Sequence, residues 1–269
     1  MSRTNLGLNR RALLQGAAVA AGLTALSSSA AASATSAASA TSAASAASGG
    51  EPHQSPIRIT RSATEPANLP ALHVDYPHDA TVTMKYIRED ADEPDGCTVR
   101  GDEETVRAEV PPGVGSLTVS GVTYGLAQFH WHTPSEHLLS ARDYPIEMHF
   151  VHQDPSGHTL VVGVWVRRGP SNPTLGRLYD HLVSECSTAE PVGHIDICAL
   201  LPRRHTSYRY DGSLTTAPYT EGVQWVMLTD PITASPRQID RFRTMFPTGN
   251  RRDVQELNDR VVLTDGRRS

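Results

Sequence analysis

The chain is poor in cysteine, carries no excess of positive charge and contains no apolar run long enough to cross a bilayer. Cys97, Cys186 and Cys198 are its only cysteines. None has the close spacing of a thiolate zinc site, which excludes cysteine-based metal binding. Their odd number leaves at least one thiol outside any internal disulfide. Cys186 and Cys198 are close enough in sequence to pair, but free or buried thiols are the expectation. The net charge of −5 argues against nucleic acid or an anionic membrane surface as partner. The longest apolar stretch, Ala12 to Leu26, falls short of the ~20 residues needed to span a membrane.

That stretch has another reading. It follows twin arginines in Asn9-Arg10-Arg11-Ala12-Leu13-Leu14-Gln15 and precedes the small residues Ala30-Ala31-Ala32. Together they read as a twin-arginine-type signal peptide over residues 1–34, sending the protein to a secreted, periplasmic or cell-surface location. No membrane span is expected after its removal. The segment holds three arginines and no acid, so its loss takes the net charge from −5 to −8. Residues 35–50 are almost wholly Ser, Ala, Thr and Gly, too weakly apolar to bury a core, and read as a disordered linker. One domain is expected over 51–264, with a short tail at 265–269.

The domain reads as mainly β. Alternating runs at Thr81–Ile87, Thr105–Val110 and Ser116–Val119 predict half-buried strands. Gly125–Trp131 and Ile146–His152 predict two more, and Trp225–Leu228 another. Leu160–Val166 is almost continuously apolar and predicts a strand buried on both faces. Two helices are expected. One is capped by Ser171 or Asn172, with Pro173 in its first turn, and runs to about Val183. The other is capped by Ser235 and runs to Met245. The acidic stretch Glu89 to Asp95 reads as a solvated loop.

Function is most legible in three histidines. His130 and His132, two residues apart, share one face of a strand because side chains alternate with period 2. A second strand returning antiparallel brings His149 beside them. Three imidazoles with no evident fourth protein ligand describe an open zinc site, which keeps one position for water. Zinc lowers the pKa of that water to about 7 and so makes a hydroxide nucleophile at neutral pH. Gln128 and Glu147 each stand two residues before a ligand and on its face, where a ligating imidazole wants an acceptor for its other N–H. Orienting the hydroxide needs a hydroxyl backed by a carboxylate. Thr215 or Thr216 and Glu136 are candidates, though spacing alone does not pair them. His137 reads as a hydrogen-bonding structural residue, and His152 as facing away from the metal.

Longer motifs sharpen this. Gln54-Ser55-Pro56-Ile57, Gln128-Phe129-His130-Trp131-His132-Thr133-Pro134-Ser135-Glu136-His137, Glu147-Met148-His149-Phe150-Val151-His152, Tyr210-Asp211-Gly212-Ser213-Leu214-Thr215-Thr216-Ala217-Pro218, Glu221-Gly222-Val223-Gln224-Trp225 and Asn250-Arg251-Arg252 resemble, in order, the α-class carbonic anhydrases. The resemblance covers about Gln54 to Val262. It implies one large, twisted, mostly antiparallel sheet with a few short helices and zinc at the base of a cleft. It implies reversible hydration of CO2 to bicarbonate and a proton, with CO2 and bicarbonate as the small-molecule partners. His130, His132 and His149 then bind Zn2+. Thr215 orients the hydroxide and Glu136 accepts the Thr215 proton. Gln128, Glu147 and the Asn250 carbonyl support the ligands, and Val151, Val161, Leu214 and Trp225 form an apolar CO2 wall beside Thr216. Cis peptides before Pro56 and Pro218 are also implied.

Two departures stand out. Glu104 occupies the position of the family's histidine proton shuttle, in Gly101-Asp102-Glu103-Glu104-Thr105-Val106, and is expected to be a solvated carboxylate and a weak base. The aromatic-rich stretch that usually precedes Gln-Ser-Pro-Ile is replaced by the Ser/Ala/Gly linker. Tyr219 stands where many exported relatives place one half of a disulfide. These departures define an alternative, a carbonic-anhydrase-like zinc-binding protein with little or no turnover. Esterase activity at the same zinc centre is a third reading.

Overall fold

The computed structural model describes residues 52–88 and 104–265. The expected signal peptide, linker and acidic loop, Cys97, and the tail beyond Asp265 lie outside the described residues. Strands β1 (Arg58–Ile59), β2 (Thr64–Pro66), β3 (His73–Asp75) and β4 (Ala80–Ile87) come first. Then follow β5 (Thr105–Glu109), β6 (Ser116–Val119), β7 (Val122–His132), β8 (Leu138–Leu139), β9 (Ile146–Gln153) and β10 (Thr159–Arg168). Helix α1 (Pro173–Asp180) precedes β11 (Glu190–Ile195), β12 (Ser207–Ser213), β13 (Glu221–Leu228) and β14 (Ile232–Ala234). Helix α2 (Pro236–Met245) and β15 (Val262–Thr264) end the described chain.

Thirteen strands form one sheet in the order β11-β4-β5-β7-β9-β10-β13-β12-β15-β2, with β14 joined to β10 and β6 linking β3 to β7. β1 and β8 form a separate parallel pair. Within the large sheet, β10 runs parallel to β13 and β14, and β15 runs parallel to β2; the other pairings are antiparallel. The mainly β, mostly antiparallel architecture expected from the sequence is the one observed.

Period-2 alternation divides the sheet between two cores. Phe129 and Trp131 of β7, Met148 and Phe150 of β9 and Val162 and Val164 of β10 point to the larger one. Helices α1 and α2 cover it with Leu175, Leu178, Tyr179, Ile239 and Phe242. Trp131 meets Tyr179 edge-on at 5.7 Å, and Tyr179 stacks on Phe242 at 5.6 Å. Each such fully buried apolar side chain contributes roughly 1.5–3 kcal/mol. The opposite face carries Val161 and Trp165 of β10 with Tyr208, Tyr210, Trp225 and Met227 of β12 and β13. β10 is therefore apolar on both faces, which is why its sequence does not alternate. Gly163 interrupts it because the Met227 thioether lies where a β-carbon would be, 2.1 Å from Sδ.

Local signals set the helix starts. Asn172 accepts from the Leu175 amide at 3.0 Å, with Pro173 as the first helical residue. Ser235 and Gln238 form a reciprocal capping box. Helix α1 ends at Asp180, short of the expected Val183, where the His181 amide bonds back to Leu178 in a tighter turn. Cis peptides precede Pro56 and Pro218 as the resemblance implied, and Pro134 adds a third. One cysteine expectation is corrected. Cys186 is disulfide-bonded, whereas Cys198 is free, so the two do not pair.

His152 extends β9 toward the larger core and away from His149. Its Nδ1–H donates to the Leu160 carbonyl at 3.2 Å, and Nε2 accepts from the Tyr76 hydroxyl at 2.5 Å. Burial lowers its pKa from the ordinary 6.5 to about 4, partly offset by the backbone hydrogen bond to Leu160. Below pH 6.5 the unfolded chain therefore takes up a proton that the fold refuses until about pH 4. Stability contributed here is complete above pH 6.5 and falls across that window by up to about 3 kcal/mol. Urea unfolding of His152→Gln, compared with the parent at pH 7 and pH 4.5, should show a shallower acid loss; equal slopes would contradict the assignment.

Candidate metal centre

The β7–β9 pairing brings the histidines together. His130 lies directly opposite His149, and His132 opposite Glu147. All three rings are buried, with centroids 4.7 to 5.2 Å apart. One nitrogen from each lies within 4.8 Å of the others.

Their hydrogen bonds decide which nitrogen is free. His130 Nδ1–H donates to Gln128 Oε1 at 2.8 Å, and His132 Nδ1–H to the Asn250 carbonyl at 2.8 Å. His149 uses its other nitrogen, donating Nε2–H to Glu147 Oε1 at 2.7 Å. Two Nε2 lone pairs and one Nδ1 lone pair are left to converge, and His132 Nε2 is buried without a hydrogen-bond partner. Burial lowers the pKa of both His130 and His149, with neighbouring imidazoles adding to the effect. Neutral, oriented imidazoles with an orphaned nitrogen are the donor set a tetrahedral divalent cation requires. The residues therefore fit zinc.

His137, Glu147 and His149 also cluster, but their atoms are already in use. Glu147 Oε1 accepts from both His137 Nδ1–H and His149 Nε2–H at 2.7 Å, and Oε2 accepts from the His137 amide at 2.9 Å. Burial alone would raise the Glu147 carboxyl. The His137 charge and these hydrogen bonds outweigh it and hold the group well below the usual carboxylate range. His137 Nε2 in turn lies 2.6 Å from Tyr210 Oη, and Tyr210 is 2.9 Å from Ser55 Oγ. This support, running back to the first described residues, was not assigned from the sequence. The sequence marks Glu147 as an acceptor and His137 as a hydrogen-bonding structural residue, but Tyr210 and Ser55 stand there only as motif residues without roles.

The other candidates fall into three groups. Val151, Val161 and Trp225 form a row across β9, β10 and β13. Leu214 packs on the same cluster, and Trp225 lies 4.9 Å from the His149 ring. Thr216 lines a cavity of about 240 Å³ with Gln128, His130, Thr105, Arg88 and Arg107. Glu136 is buried beside the centre, 3.4 Å from His132 and 3.8 Å from His149. Its Oε1 accepts from the Arg252 amide at 2.8 Å, while Oε2 has no partner. Thr215 is buried in the loop after β12, but no hydrogen bond joins it to Glu136 among the described residues.

Glu104 requires a correction. It is fully buried rather than solvated. Oε2 accepts from Tyr86 at 2.7 Å, Oε1 is unpartnered, and its backbone carbonyl accepts from Asn250. It does not line the cavity. Tyr219, at the position where relatives carry a half-disulfide, instead lies under the Arg252 guanidinium at 3.7 Å.

Residues 39–266 match the eukaryotic-type carbonic anhydrase family. The chain belongs to that family. It is 35% identical over 211 residues to a carbonic anhydrase of Neisseria gonorrhoeae, covering 78% of this chain and 77% of the relative. It is likewise 35% identical over 212 residues to one from Klebsiella pneumoniae, covering 78% and 79%. Among solved structures, the α-carbonic anhydrase of Thermovibrio ammonificans bound to sulfanilamide aligns with a TM-score of 0.68 at 35% identity, over 78% of this chain and 86% of that one. Membership gives the enzyme class, a carbonic anhydrase, and supports CO2 hydration with CO2 and bicarbonate as the substrate pair. No described helix is long and apolar enough to cross a membrane.

Removing an acceptor behind a ligating imidazole typically lowers metal affinity 10–100-fold. Glu147→Gln should weaken zinc retention by about that factor in competition with a chelator, with the far-ultraviolet spectrum unchanged. Unaltered affinity would separate Glu147 from the metal centre.

Proposed function

We propose that the chain catalyses reversible hydration of CO2 with zinc held by His130, His132 and His149. The observation that carries this is the convergence of three neutral, buried imidazole nitrogens, one of them orphaned, after each ring has spent its other nitrogen on a fixed acceptor. When bound, zinc supplies a Lewis acid that lowers the pKa of a coordinated water to about 7.

The chain's own residues do the rest. Glu136 Oε2 is a buried acceptor without a donor, and the Thr215 hydroxyl is proposed to fill that role. So paired, Thr215 has its only proton committed to Glu136 and presents lone pairs toward the metal, fixing the orientation of the nucleophile's own O–H. The row Val151, Val161, Trp225, with Leu214 beside it, offers an apolar surface against His149. CO2 has no net dipole and is held there without competing for the polar groups.

Proton exit is the weak point. Among the described residues, the titratable groups lining the cavity are His130, Arg88 and Arg107. His130 is committed to the metal, and arginine does not release a proton at neutral pH. We therefore propose that protons leave to external buffer. We also propose that the twin-arginine segment directs export, which N-terminal sequencing of the secreted protein tests directly.

Stopped-flow CO2 hydration with zinc analysis tests the main proposal. One equivalent of zinc and measurable turnover are expected, with both lost in His149→Ala. Zinc bound without turnover would favour the binding-protein reading. Adding imidazole to a weakly buffered assay should raise turnover roughly tenfold or more, as an efficient external base replaces an absent internal one. A fast, buffer-independent rate would show an internal shuttle.

A further inference from the structure

Among the described residues, the fixed charges lining the cavity beside His130 are both basic, although the protein as a whole is acidic. Arg88 and Arg107 line it, and among the described residues no carboxylate does. Arg107 stands on β5 directly opposite His130 on β7, so its position is fixed by the same register that builds the metal centre. Its guanidinium is only partly committed. Nη2 donates to Glu109 Oε1 at 2.6 Å, and no other hydrogen bond of this side chain occurs among the described residues. Glu109 is also shared with Lys85, at 4.0 Å, so the group as a whole keeps a net positive charge. Thr216 adds a hydroxyl to the same wall.

We infer that Arg107 forms an oxyanion subsite at the mouth of the cleft and determines how tightly the enzyme holds bicarbonate. The inference rests on the CO2–bicarbonate reading above. A guanidinium with spare N–H donors recognises a planar oxyanion through charge-assisted hydrogen bonds. The cavity walls exclude part of the solvent and strengthen that attraction. CO2 carries no charge and gains nothing from it. The subsite therefore separates the two directions of the reaction. It concentrates bicarbonate for dehydration and delays its departure after hydration. Glu109 competes with bicarbonate for the same guanidinium and moderates the hold.

Zinc-loaded parent, Arg107→Gln, Arg107→Lys and Glu109→Gln proteins test this, with bicarbonate as the probe. In Arg107→Gln the KM for bicarbonate should rise roughly five- to tenfold, the weight of one charged hydrogen bond at a part-exposed site, while the KM for CO2 moves less than about twofold. Arg107→Lys should fall between the two. Glu109→Gln should lower the bicarbonate KM, a gain that a merely damaged strand would not produce. Independently of turnover, the Arg107 Nε–H resonance, identified by its loss in Arg107→Lys, should shift saturably as bicarbonate is added to the parent. An unmoved resonance, or equal changes in the KM of both substrates, would overturn the subsite. Absence of all turnover with a saturable resonance shift would instead defeat the hydratase reading and leave the subsite standing.

Discussion

The pairing of β7 with β9 is the constraint on which the site depends. It sets His130 against His149 and His132 against Glu147, placing the three histidines, Gln128 and Glu147 in one patch, with the Asn250 loop needed only for the His132 acceptor. A one-residue slip would exchange faces along the whole strand. If β7 slipped, Phe129 and Trp131 would turn toward the histidine face, and Gln128, His130 and His132 would enter a core covered by two helices. The apolar packing of that covered face holds the register, so the geometry of the histidine cluster is fixed by residues that never approach it.

Burial gives the same patch its chemistry. Imidazoles removed from water lose their affinity for protons and remain neutral, the state in which they ligate. Unpaired burial of so many polar groups would be costly, and the structure avoids most of that cost by giving each ring one acceptor. Glu147 serves two histidines at once and is held ionised by them. The exceptions, His132 Nε2 and Glu136 Oε2, lie where a cation and a hydroxyl donor are called for. Two orphans side by side, a histidine nitrogen and a carboxylate oxygen among oriented imidazoles, mark function more sharply than the histidine cluster alone.

Much of this was legible because it is local. Period-2 alternation gave Gln128, His130, His132, Glu147 and His149 a common face, and Asn172 and Ser235 announced their helices through capping chemistry a few residues long. What escaped depends on contacts far apart in the chain. Glu104 reads as solvated among its charged neighbours. It is buried because Tyr86, from the adjacent β4, and Asn250, 146 residues away, close over it. Asn250 itself entered through resemblance, since nothing local links it to His132. Arg107 required knowing that β5 pairs with β7 opposite His130. The disulfide at Cys186 likewise has no signal in residue spacing.

The burial of Glu104 and the placement of Arg107 belong to one change in character. Where a histidine route out of the cleft was looked for, Glu104, just before β5, turns its carboxylate inward to Tyr86, and Arg107 on β5 offers a guanidinium to the cavity. A carboxylate facing the metal would stabilise a proton near the site and repel bicarbonate; an arginine does the reverse in both respects. The strand thus exchanges a group able to carry protons for one able to hold anions. In such a cleft the two products leave by different means, the proton on a diffusing base and bicarbonate past a fixed positive charge. On that reading the rates of hydration and dehydration, whose ratio at equilibrium no enzyme alters, depend on the medium's buffer and salt as well as on the histidine centre.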